Sequence, residues 1–389
     1  MKIDFDRFIR DTEFIWHPFV ERQLPNYDRW KEADEVVDSG KLVANPYVSI
    51  VILSYNHKKM LRECVDSVLM QRTQFPFEII IADDCSPDRE TNEICREVQR
   101  LRPDVIRVLF GKVNVGSMRN ALRGLVRCRG KYIACIDGDD FYLSPLKIQI
   151  QVKYLEEHKN VAACFSSFLQ QLNNWAFSRT PIRYKTKKLY VGLNASSKED
   201  RANLILRRNR LAPICAFFRA DSAKFATQKI IDLFKIIKWF PCQDFELWYY
   251  MAFTGKIHFI PEDLCVYRAN KTSASLNPDK SIANARLFGD ACNKLAMIQD
   301  APFFITDDSK DFVEKLVVYR LVQYLKTDDY ANRLSEYLKT VLSQFGYSWL
   351  DLHNSSKKRS FKWWSENLRL RETMLGYLIR KCLIKVFRI

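Results

Sequence analysis

The chain has 389 residues, of which 62 are Lys or Arg and 46 are Asp or Glu, so its formal net charge is +16. Because 47% of the residues are hydrophobic and 13% are aromatic, the chain can bury a sizeable core and is not disordered throughout. Its 11 glycines are too few for collagen-like sequences or glycine-rich repeat arrays.

The first part of the chain, residues 1–45, mixes aromatic and charged side chains without strand-like alternation. We expect a helical or irregular extension packed on the main body. From Val48 onward, short apolar runs alternate with amphipathic stretches of helix length, which is typical of a parallel sheet with crossover helices. The predicted strands are Val48–Leu53, Phe77–Ala82, Ile106–Phe110 and Lys131–Ile136, and the predicted helices are about Lys58–Gln71, Arg89–Leu101, Ser117–Arg127 and Pro145–His158.

Polar and acidic residues follow three of these strands, where the ligand crevice of a parallel sheet lies. They are Ser54-Tyr55-Asn56 after the first strand, Asp83-Asp84 after the second and Asp137-Gly138-Asp139-Asp140 after the fourth. The first strand is not followed by GxGxxG, and the loop 111–116 lacks the Gly-Lys-Ser/Thr ending of a phosphate loop. The sequence therefore argues against a dinucleotide-binding Rossmann domain and against a P-loop protein.

Three aspartates within four residues, Asp137, Asp139 and Asp140, repel one another unless a cation neutralises them. Oxygen ligands of this kind suit Mg²⁺ or Mn²⁺. The alternative is that they only solvate a turn and cap the next helix. Their position after a buried strand, with a second acidic cluster at a neighbouring strand end, favours the metal.

The second cluster, Asp83 and Asp84, can accept a hydrogen bond from a pyrimidine imide or a ribose hydroxyl. One of the two can be purely structural. Asp88, which precedes a predicted helix, is most simply an N-cap.

In this order and spacing, the motifs resemble the family 2 glycosyltransferases from about Val48 to Ser275. The quoted segments are 48–56 (VSIVILSYN), 78–86 (EIIIADDCS), 114–116 (NVG) with Arg119-Asn120, 130–133 (GKYI) and 137–140 (DGDD). The resemblance implies an α/β fold of the GT-A type, with a Rossmann-like, mostly parallel sheet flanked by helices. It also implies a nucleotide-diphospho-sugar donor, by family habit a uridine diphosphate sugar.

The resemblance also implies roles for single residues. Tyr55 and Asp84 would hold the nucleobase with Ser54 and Asp83 close by, and Arg119 would contact the donor. Asp139 and Asp140 would contact the ribose and a Mn²⁺ or Mg²⁺ ion, while Asp137 would be either a ligand or a supporting carboxylate. The segment 266–275 (VYRANKTSAS) is similar to the Tyr-Arg-x-His-x-x-Ser segment of the family, with Asn270 in place of His as a weak metal ligand.

A catalytic base is implied by the segment 243–248 (QDFELW), which is similar to the acidic pair of the family. Asp244 would deprotonate the acceptor hydroxyl, and direct displacement would invert the anomeric centre. The alternative for Asp244 is a helix N-cap.

The aromatic residues Trp239, Phe240, Trp248 and Tyr249 are either a stacking platform for an acceptor sugar or core packing. The basic run 207–210 (RRNR) is either a contact for an anionic acceptor or, preferably, a solvated loop.

Beyond residue 280 the sequence predicts an appended helical region without strands, with helices near Ser281–Gln299, Asp308–Leu325, Tyr330–Phe345 and Phe361–Arg388. Residues 357–389 carry ten basic and two acidic side chains, half of the net charge of the chain, interleaved with Trp, Leu and Ile. This composition suits an anionic membrane surface, or else a basic helix packed on the protein or on a second subunit. We predict three parts: an N-terminal extension (1–45), a catalytic domain (46–278) and a helical region with a basic tail (279–389).

The cellular location can be predicted from the cysteines, the N-terminal residues and the uncharged runs of the chain. The 11 cysteines form no CxxC pair, the N-terminus has no apolar signal region, and the longest uncharged run, 161–178, holds seven Ser, Gln and Asn residues. We therefore expect a cytoplasmic protein without a spanning segment, peripheral at the inner face of a membrane.

The expected function is an inverting glycosyltransferase for a glycan or lipid-linked acceptor in cell-envelope assembly. The alternatives are a degenerate, transferase-like scaffold and a basic nucleic-acid-binding protein; the acidic motif region disfavours the latter.

Overall fold

The structure is a computed structural model that describes residues 24–171, 177–178, 193–194, 197–207, 211–234, 244–268, 280–300, 305–310, 312–313, 316 and 320. Contacts divide the chain into two compact units. The larger unit, within residues 22–233 and 242–270, contains every strand described here. The other unit includes a long helix, Lys280–Asp300, which matches the predicted helix Ser281–Gln299.

The larger unit is built on one sheet of ten strands. They are β1 (Ala33–Val36), β2 (Val48–Ser54), β3 (Phe77–Asp83), β4 (Ile106–Gly111), β5 (Tyr132–Asp137), β6 (Phe141–Tyr142), β7 (Val161–Gln171), β8 (Phe177–Ser178), β9 (Ala216–Arg219) and β10 (Lys256–Arg268). The strand order is β1-β4-β3-β2-β5-β9-β7-β10-β6, with β8 paired to β7. Six of the ten strands (β2, β3, β4, β5, β7 and β10) run in one direction, so the predicted mostly parallel sheet is confirmed.

Helices connect the strands in the larger unit. They are α1 (Lys59–Leu69), α2 (Arg89–Leu101), α3 (Ser117–Leu125), α4 (Lys147–Glu157), α5 (Lys198–Arg207), α6 (Ala220–Leu233) and α7 (Phe245–Met251), and two short 3₁₀ helices cover Leu24–Lys31 and Pro213–Cys215. The first four agree with the predicted helices to within two or three residues. Asp88 caps α2 as predicted, since its carboxylate accepts the backbone N–H of Thr91 at 2.7 Å.

The four predicted strands form because their side chains are buried on both faces of the sheet. Every residue of β2 (VSIVILS) and of β4 is buried, and so is every residue of β3 except the first. Buried parallel strands are continuous apolar runs rich in Val and Ile, which is the pattern that revealed them in the sequence. From β2 the chain adds β3 and β4 on one side of the sheet and then returns to add β5 on the other side. The ligand crevice of such a sheet is expected at this point, at the carboxyl ends of β2 and β5.

The N-terminal segment departs from the expectation of a helical or irregular extension. Ala33–Val36 is a strand, β1, that pairs antiparallel with β4 at the edge of the sheet. An edge strand with charged side chains needs no hydrophobic alternation, which is why the sequence pattern did not reveal it. The segment does pack on the sheet: Trp30, in the 3₁₀ helix, is buried, and its carbonyl oxygen accepts the Nε–H of Arg123 at 2.8 Å.

Parts of the predicted helical region lie outside the described residues. These are most of the helix Asp308–Leu325, the helices Tyr330–Phe345 and Phe361–Arg388, and the whole basic tail 357–389. Among the helices that the structure describes, none combines the length and the apolar character that crossing a membrane requires.

Candidate active site

The polar residues after β2, β3 and β5 meet at one edge of the sheet. Because the three strands are parallel neighbours in register, Ser54 lies opposite Asp83, and Leu53 lies opposite both Ala82 and Asp137. The structure therefore brings the two acidic clusters to either side of the end of β2, at the point where the strand order reverses.

Asp83 is buried and turns its carboxylate onto its own loop. Its Oδ2 accepts the backbone N–H of Ser86 at 2.8 Å, and its Oδ1 accepts the Ser86 hydroxyl at 2.5 Å. Burial raises the pKa of Asp83, and the two hydrogen bonds from Ser86 work against this shift. Asp83 thus fixes the β3–α2 loop that forms one wall of the crevice.

Asp84 is bound by the loop that precedes α3. Its Oδ1 accepts the backbone N–H of Val115 at 3.0 Å, and its Oδ2 accepts those of Gly116 at 2.8 Å and of the Asn114 side chain at 3.0 Å. Gly116 has φ of 85°, a conformation that favours glycine. The negative charge therefore lies at the positive end of the α3 dipole. Burial nevertheless raises the pKa of Asp84.

Arg123 is a buried arginine behind the two aspartates that the sequence did not single out. Its Nη1 lies 3.5 Å from Asp84 Oδ1 and donates to Asn120 Oδ1 at 2.8 Å and to the Asp83 carbonyl at 3.3 Å. Gly111 leaves room for it, because a Cβ at that position would overlap the guanidinium. Asn120 and Arg123 are three residues apart on α3, which was the available sequence signal. Arg119, the predicted donor contact, is buried in the first turns of α3.

The loops around the crevice adopt left-handed backbone conformations at three residues other than glycine. The φ angles are 58° at Asn56, 50° at Lys58 and 60° at Cys85. Side chains hold two of these turns, since Asn56 N donates to Ser86 Oγ and Lys58 N donates to Thr91 Oγ1, both at 2.9 Å. Such strained residues cluster at ligand sites. Next to them, Tyr55 is an exposed aromatic side chain, with 42% of its surface accessible.

The turn after β5 carries the second acidic cluster. Asp140 N donates to the Asp137 carbonyl at 3.0 Å and Gly138 N donates to the Leu53 carbonyl at 2.7 Å, so the turn is tied to β2. Asp140 is buried, and its Oδ1 accepts the backbone N–H of Arg268 at 2.8 Å. Burial, together with the charges of Asp139 and Asp137, raises the pKa of Asp140 well above its usual range.

His57 is a second residue that the sequence did not single out. Its Nδ1 is buried, accepts no hydrogen bond within the described residues and faces Gly138, where a Cβ would lie 2.6 Å from it. Burial lowers the pKa of His57, against the opposing charges of Asp139, Asp83 and Asp88. His57 thus lies close enough to both acidic clusters to feel their charges, while burial favours its neutral form.

The acidic turn offers carboxylate oxygens, the type of ligand that a divalent cation such as Mg²⁺ prefers. Mutual repulsion between Asp137, Asp139 and Asp140 is what a cation relieves, and Asp140 is too deeply buried to be solvated by water instead. Within the described ranges, however, no three His, Cys, Asp or Glu side chains form a ready-made metal site. The remaining ligands would come from phosphate oxygens and water, as is usual for Mg²⁺. Asn270 lies outside the described residues.

Asp244 occupies the N-cap position of α7, but its side chain makes no capping hydrogen bond. The backbone carbonyl of Asp244 accepts the N–H of Trp248 at 3.1 Å and starts the helix. Trp248 and Tyr249 are core residues rather than a sugar platform, because both are buried and Trp248 packs edge-on against Phe165 at 5.0 Å. Trp239, Phe240 and Gln243, with residues 208–210, lie outside the described residues.

Known proteins are similar to parts of this chain. Residues 49–219 match the model of the family described as Glycosyl transferase family 2. An uncharacterized protein of Mycobacterium tuberculosis is 42% identical over 118 residues, which are 30% of this chain and 34% of that protein. An uncharacterized glycosyltransferase of Haemophilus influenzae is 27% identical over 239 residues, 61% of this chain and 70% of the relative. The chain thus spans about a third of the length of the first relatives that it matches (34%).

Two solved structures are among those to which the chain is similar. The mannosyltransferase PcManGT of Pyrobaculum calidifontis, in complex with GDP-Man and Mn²⁺, has a TM-score of 0.49 at 13% identity, over 95% of this chain and 99% of that one. Residues 1–349 of S. aureus TarS, in complex with UDP-GlcNAc, have a TM-score of 0.49 at 16% identity, over 72% of this chain and 79% of that one.

The mostly parallel sheet, with acidic residues at the carboxyl ends of its strands, defines an α/β domain with its crevice at that edge. The family-model match over residues 49–219 confirms the predicted resemblance to the family 2 glycosyltransferases for that part of the chain.

Proposed function

We propose that the chain is an inverting glycosyltransferase that moves a hexose from a nucleotide-diphospho-sugar to a hydroxyl group of a glycan or lipid-linked acceptor. The observation that carries the proposal is the meeting of two acidic strand ends in a domain that matches this family. Asp83 and Asp137 flank the end of β2, and the loops between them are held in strained conformations. A role in cell-envelope polysaccharide or glycoconjugate assembly is part of the proposal.

The donor nucleotide would lie between the β2–α1 and β3–α2 loops. Tyr55 is exposed there and offers a ring face to a base. Asp83 and Ser54 lie beside it, while Asp84 would act by fixing the loop 114–116 as well as by contacting the base. Arg119, on the same helix as Arg123, and Asp139 complete the proposed donor contacts. By family habit, the nucleotide is a uridine diphosphate.

A Mn²⁺ or Mg²⁺ ion would be held by Asp140 and Asp139, with Asp137 as a ligand or as support and Asn270 as a weak ligand. When bound, the ion would stabilise the negative charge on the departing diphosphate. The chain itself would position that charge, because Asp140 is fixed by the backbone N–H of Arg268 and the turn is tied to Leu53.

Asp244 would accept the proton of the acceptor hydroxyl as that oxygen attacks the anomeric carbon. What supports this role is the resemblance of the segment 243–248 (QDFELW) to the acidic pair of the family, with Asp244 at the start of α7. Direct attack on the face opposite the diphosphate inverts the anomeric centre. The stereochemistry of the product, read by proton NMR of the anomeric coupling, tests inversion.

Thermal shift with a panel of nucleotides and nucleotide sugars, with and without Mn²⁺, tests the donor. A ligand at 100 times its dissociation constant stabilises a protein by about 2.7 kcal/mol, so a true donor is detected readily. We expect stabilisation by uridine diphosphate compounds that increases with Mn²⁺. Equal melting temperatures across the whole panel would refute a nucleotide-sugar enzyme, and donor binding without sugar release or transfer would instead indicate the scaffold alternative.

The proposed site of action is the inner face of a membrane, reached through the basic tail 357–389. The tail carries ten basic and two acidic residues interleaved with large apolar ones. Each basic residue near an anionic bilayer contributes about 1 kcal/mol of attraction, so the tail suffices for peripheral binding. A lipid-linked acceptor would then be presented at the same surface.

A further inference from the structure

Arg268, the last described residue of β10, contacts the acidic turn and two neighbouring elements at once. Its Nη1 donates to the Asp139 carbonyl at 2.9 Å, its Nε donates to Gln171 Oε1 at 3.3 Å and its Nη2 pairs with Glu63 of α1. The guanidinium also stacks on the Phe141 ring, 4.6 Å from the centroid. One side chain thus joins α1, β7 and the turn that follows β5.

The backbone of the same residue binds the buried carboxylate of the turn. Arg268 N donates to Asp140 Oδ1 at 2.8 Å. Asp140 is buried and close in sequence to two further carboxylates, Asp137 and Asp139, so this hydrogen bond anchors it where like charges are crowded. Fixing the Arg268 side chain therefore also fixes the donor of the hydrogen bond that keeps Asp140 in place.

The guanidinium is oriented toward a carbonyl oxygen and an exposed glutamate. Glu63 lies on the surface, with 62% of its side chain exposed, while Arg268 is 14% exposed. The arginine therefore adds positive charge beside the turn and fixes its backbone. Lysine cannot replace it, because a single ammonium on a flexible stem does not reach three separate partners in a fixed plane.

We propose that Arg268 is a positioning residue that holds the Asp137–Asp140 turn in the conformation that binds the cation and the donor diphosphate, and that Glu63 holds Arg268. This inference rests on the proposed function for its ligand, a nucleoside diphosphate with a divalent cation. Arg268 itself is not assigned a contact with the reacting atoms.

The first test measures binding of UDP to the full chain by calorimetry at increasing Mn²⁺, with uridine as a probe that lacks phosphates. We expect Arg268→Lys to raise the Mn²⁺ concentration for half-maximal UDP binding about 10-fold or more, the loss typical of residues that orient metal ligands. Glu63→Gln should have a smaller effect in the same direction. Uridine affinity should not change. Glu97→Gln is the matched control, because Glu97 is also an exposed glutamate paired with an arginine, Arg62 at 2.8 Å.

Two results of the binding experiment would overturn the inference: Mn²⁺-dependent UDP binding by Arg268→Lys that equals wild type, or an equal loss of UDP and uridine binding, which indicates general damage. Hydrogen exchange by mass spectrometry supplies a readout that needs no ligand. Peptides covering 137–142 should exchange faster in Arg268→Lys than in wild type or Glu97→Gln, and unchanged exchange there also overturns it. If wild type binds no nucleotide while exchange in the turn still rises, the proposed donor fails and the positioning role of Arg268 stands.

Discussion

The carboxylate of Asp84 lies at the N-terminus of α3, where its Oδ2 accepts the backbone N–H of Gly116 at 2.8 Å. Together with Val115 N, Asn114 and Arg123, this contact joins the ends of β3 and β4. Asp84, which by resemblance would hold the nucleobase, therefore also supports the structure of the crevice. Its substitution should change stability as well as binding.

We predict that Asp84→Asn lowers the free energy of unfolding by about 2 kcal/mol, because an amide nitrogen would face a backbone N–H where a charged acceptor now receives it. Urea denaturation at neutral pH measures the change. Asp88→Asn is the control, since Asn caps a helix as well as Asp does and the Asp88 side chain makes the capping bond to Thr91. Similar stabilities for the two variants would contradict the structural role of Asp84.

Gly138→Ala should destabilise the protein by about 1 to 3 kcal/mol, the usual cost of an overpacked site. The new methyl group would lie 2.6 Å from His57 Nδ1 and 3.0 Å from the Leu53 carbonyl. Gly40→Ala is the control, because its methyl group would meet nothing closer than 3.6 Å. In the double variant that combines Gly138→Ala with His57→Ala, the loss of unfolding free energy should be smaller than the sum of the losses in the two single variants. A loss equal to that sum would show that the His57 ring does not obstruct the new methyl group.

Asp244→Asn should reduce turnover by about 10²-fold or more while leaving donor affinity unchanged, because a general base acts only on the acceptor. Initial rates with the donor found by thermal shift, together with UDP binding, provide the two measurements. Asp66→Asn, an exposed aspartate paired with Arg62, is the control. Undiminished turnover would remove Asp244 from the role of base.

The buried Lys147 should make the stability of the protein depend on pH. Its ammonium is fully buried, donates to Gln151 Oε1 at 2.7 Å and lies 4.3 Å from the Tyr142 ring centroid, and burial lowers its pKa from 10.5. Between the lowered pKa of the folded state and 10.5 the unfolded chain binds more protons than the folded one, so in that range the destabilisation caused by burying Lys147 becomes smaller as pH rises.

Lys147→Met should therefore gain most over wild type at neutral pH, and the difference in free energy of unfolding between the two proteins should narrow as the pH rises toward 10.5. Denaturation of both proteins at each pH from 6 to 8 measures the difference, in a range where the thiols of Cys135 and Cys164, whose pKa values burial raises to about 12, stay protonated. Parallel curves would mean that Lys147 keeps its ordinary pKa.

The basic tail should bind anionic bilayers. The full chain should co-sediment with phosphatidylserine-rich liposomes, and a variant that ends at Ser356 should not. Binding of the full chain should fall with added salt, because the attraction of the ten basic residues is screened. Equal sedimentation of the two proteins would favour a tail that packs on the protein or on a second subunit.

The parallel strands and the acidic strand ends could be predicted from the sequence because both are local patterns. A run such as residues 48–54 is apolar because both faces of the strand are buried, and aspartates directly after such a run fall at the crevice. The strand β1 could not be predicted, since an edge strand of alanine, charged residues and valine resembles a loop. Arg123 and Arg268 could not be assigned either, because their partners lie far away in the sequence, as with Trp30 and Glu63.

The contact between Trp30 and Arg123 has a practical consequence for any shortened form of the protein. A version beginning at residue 46 would leave Arg123 Nε without its acceptor and would strip β1 from β4. The exposed edge would then be a buried apolar strand, IRVLFG, with a full row of unpaired backbone groups. Such an edge recruits strands from other molecules, so we expect a shortened protein to aggregate unless it retains the chain from Leu24 onward.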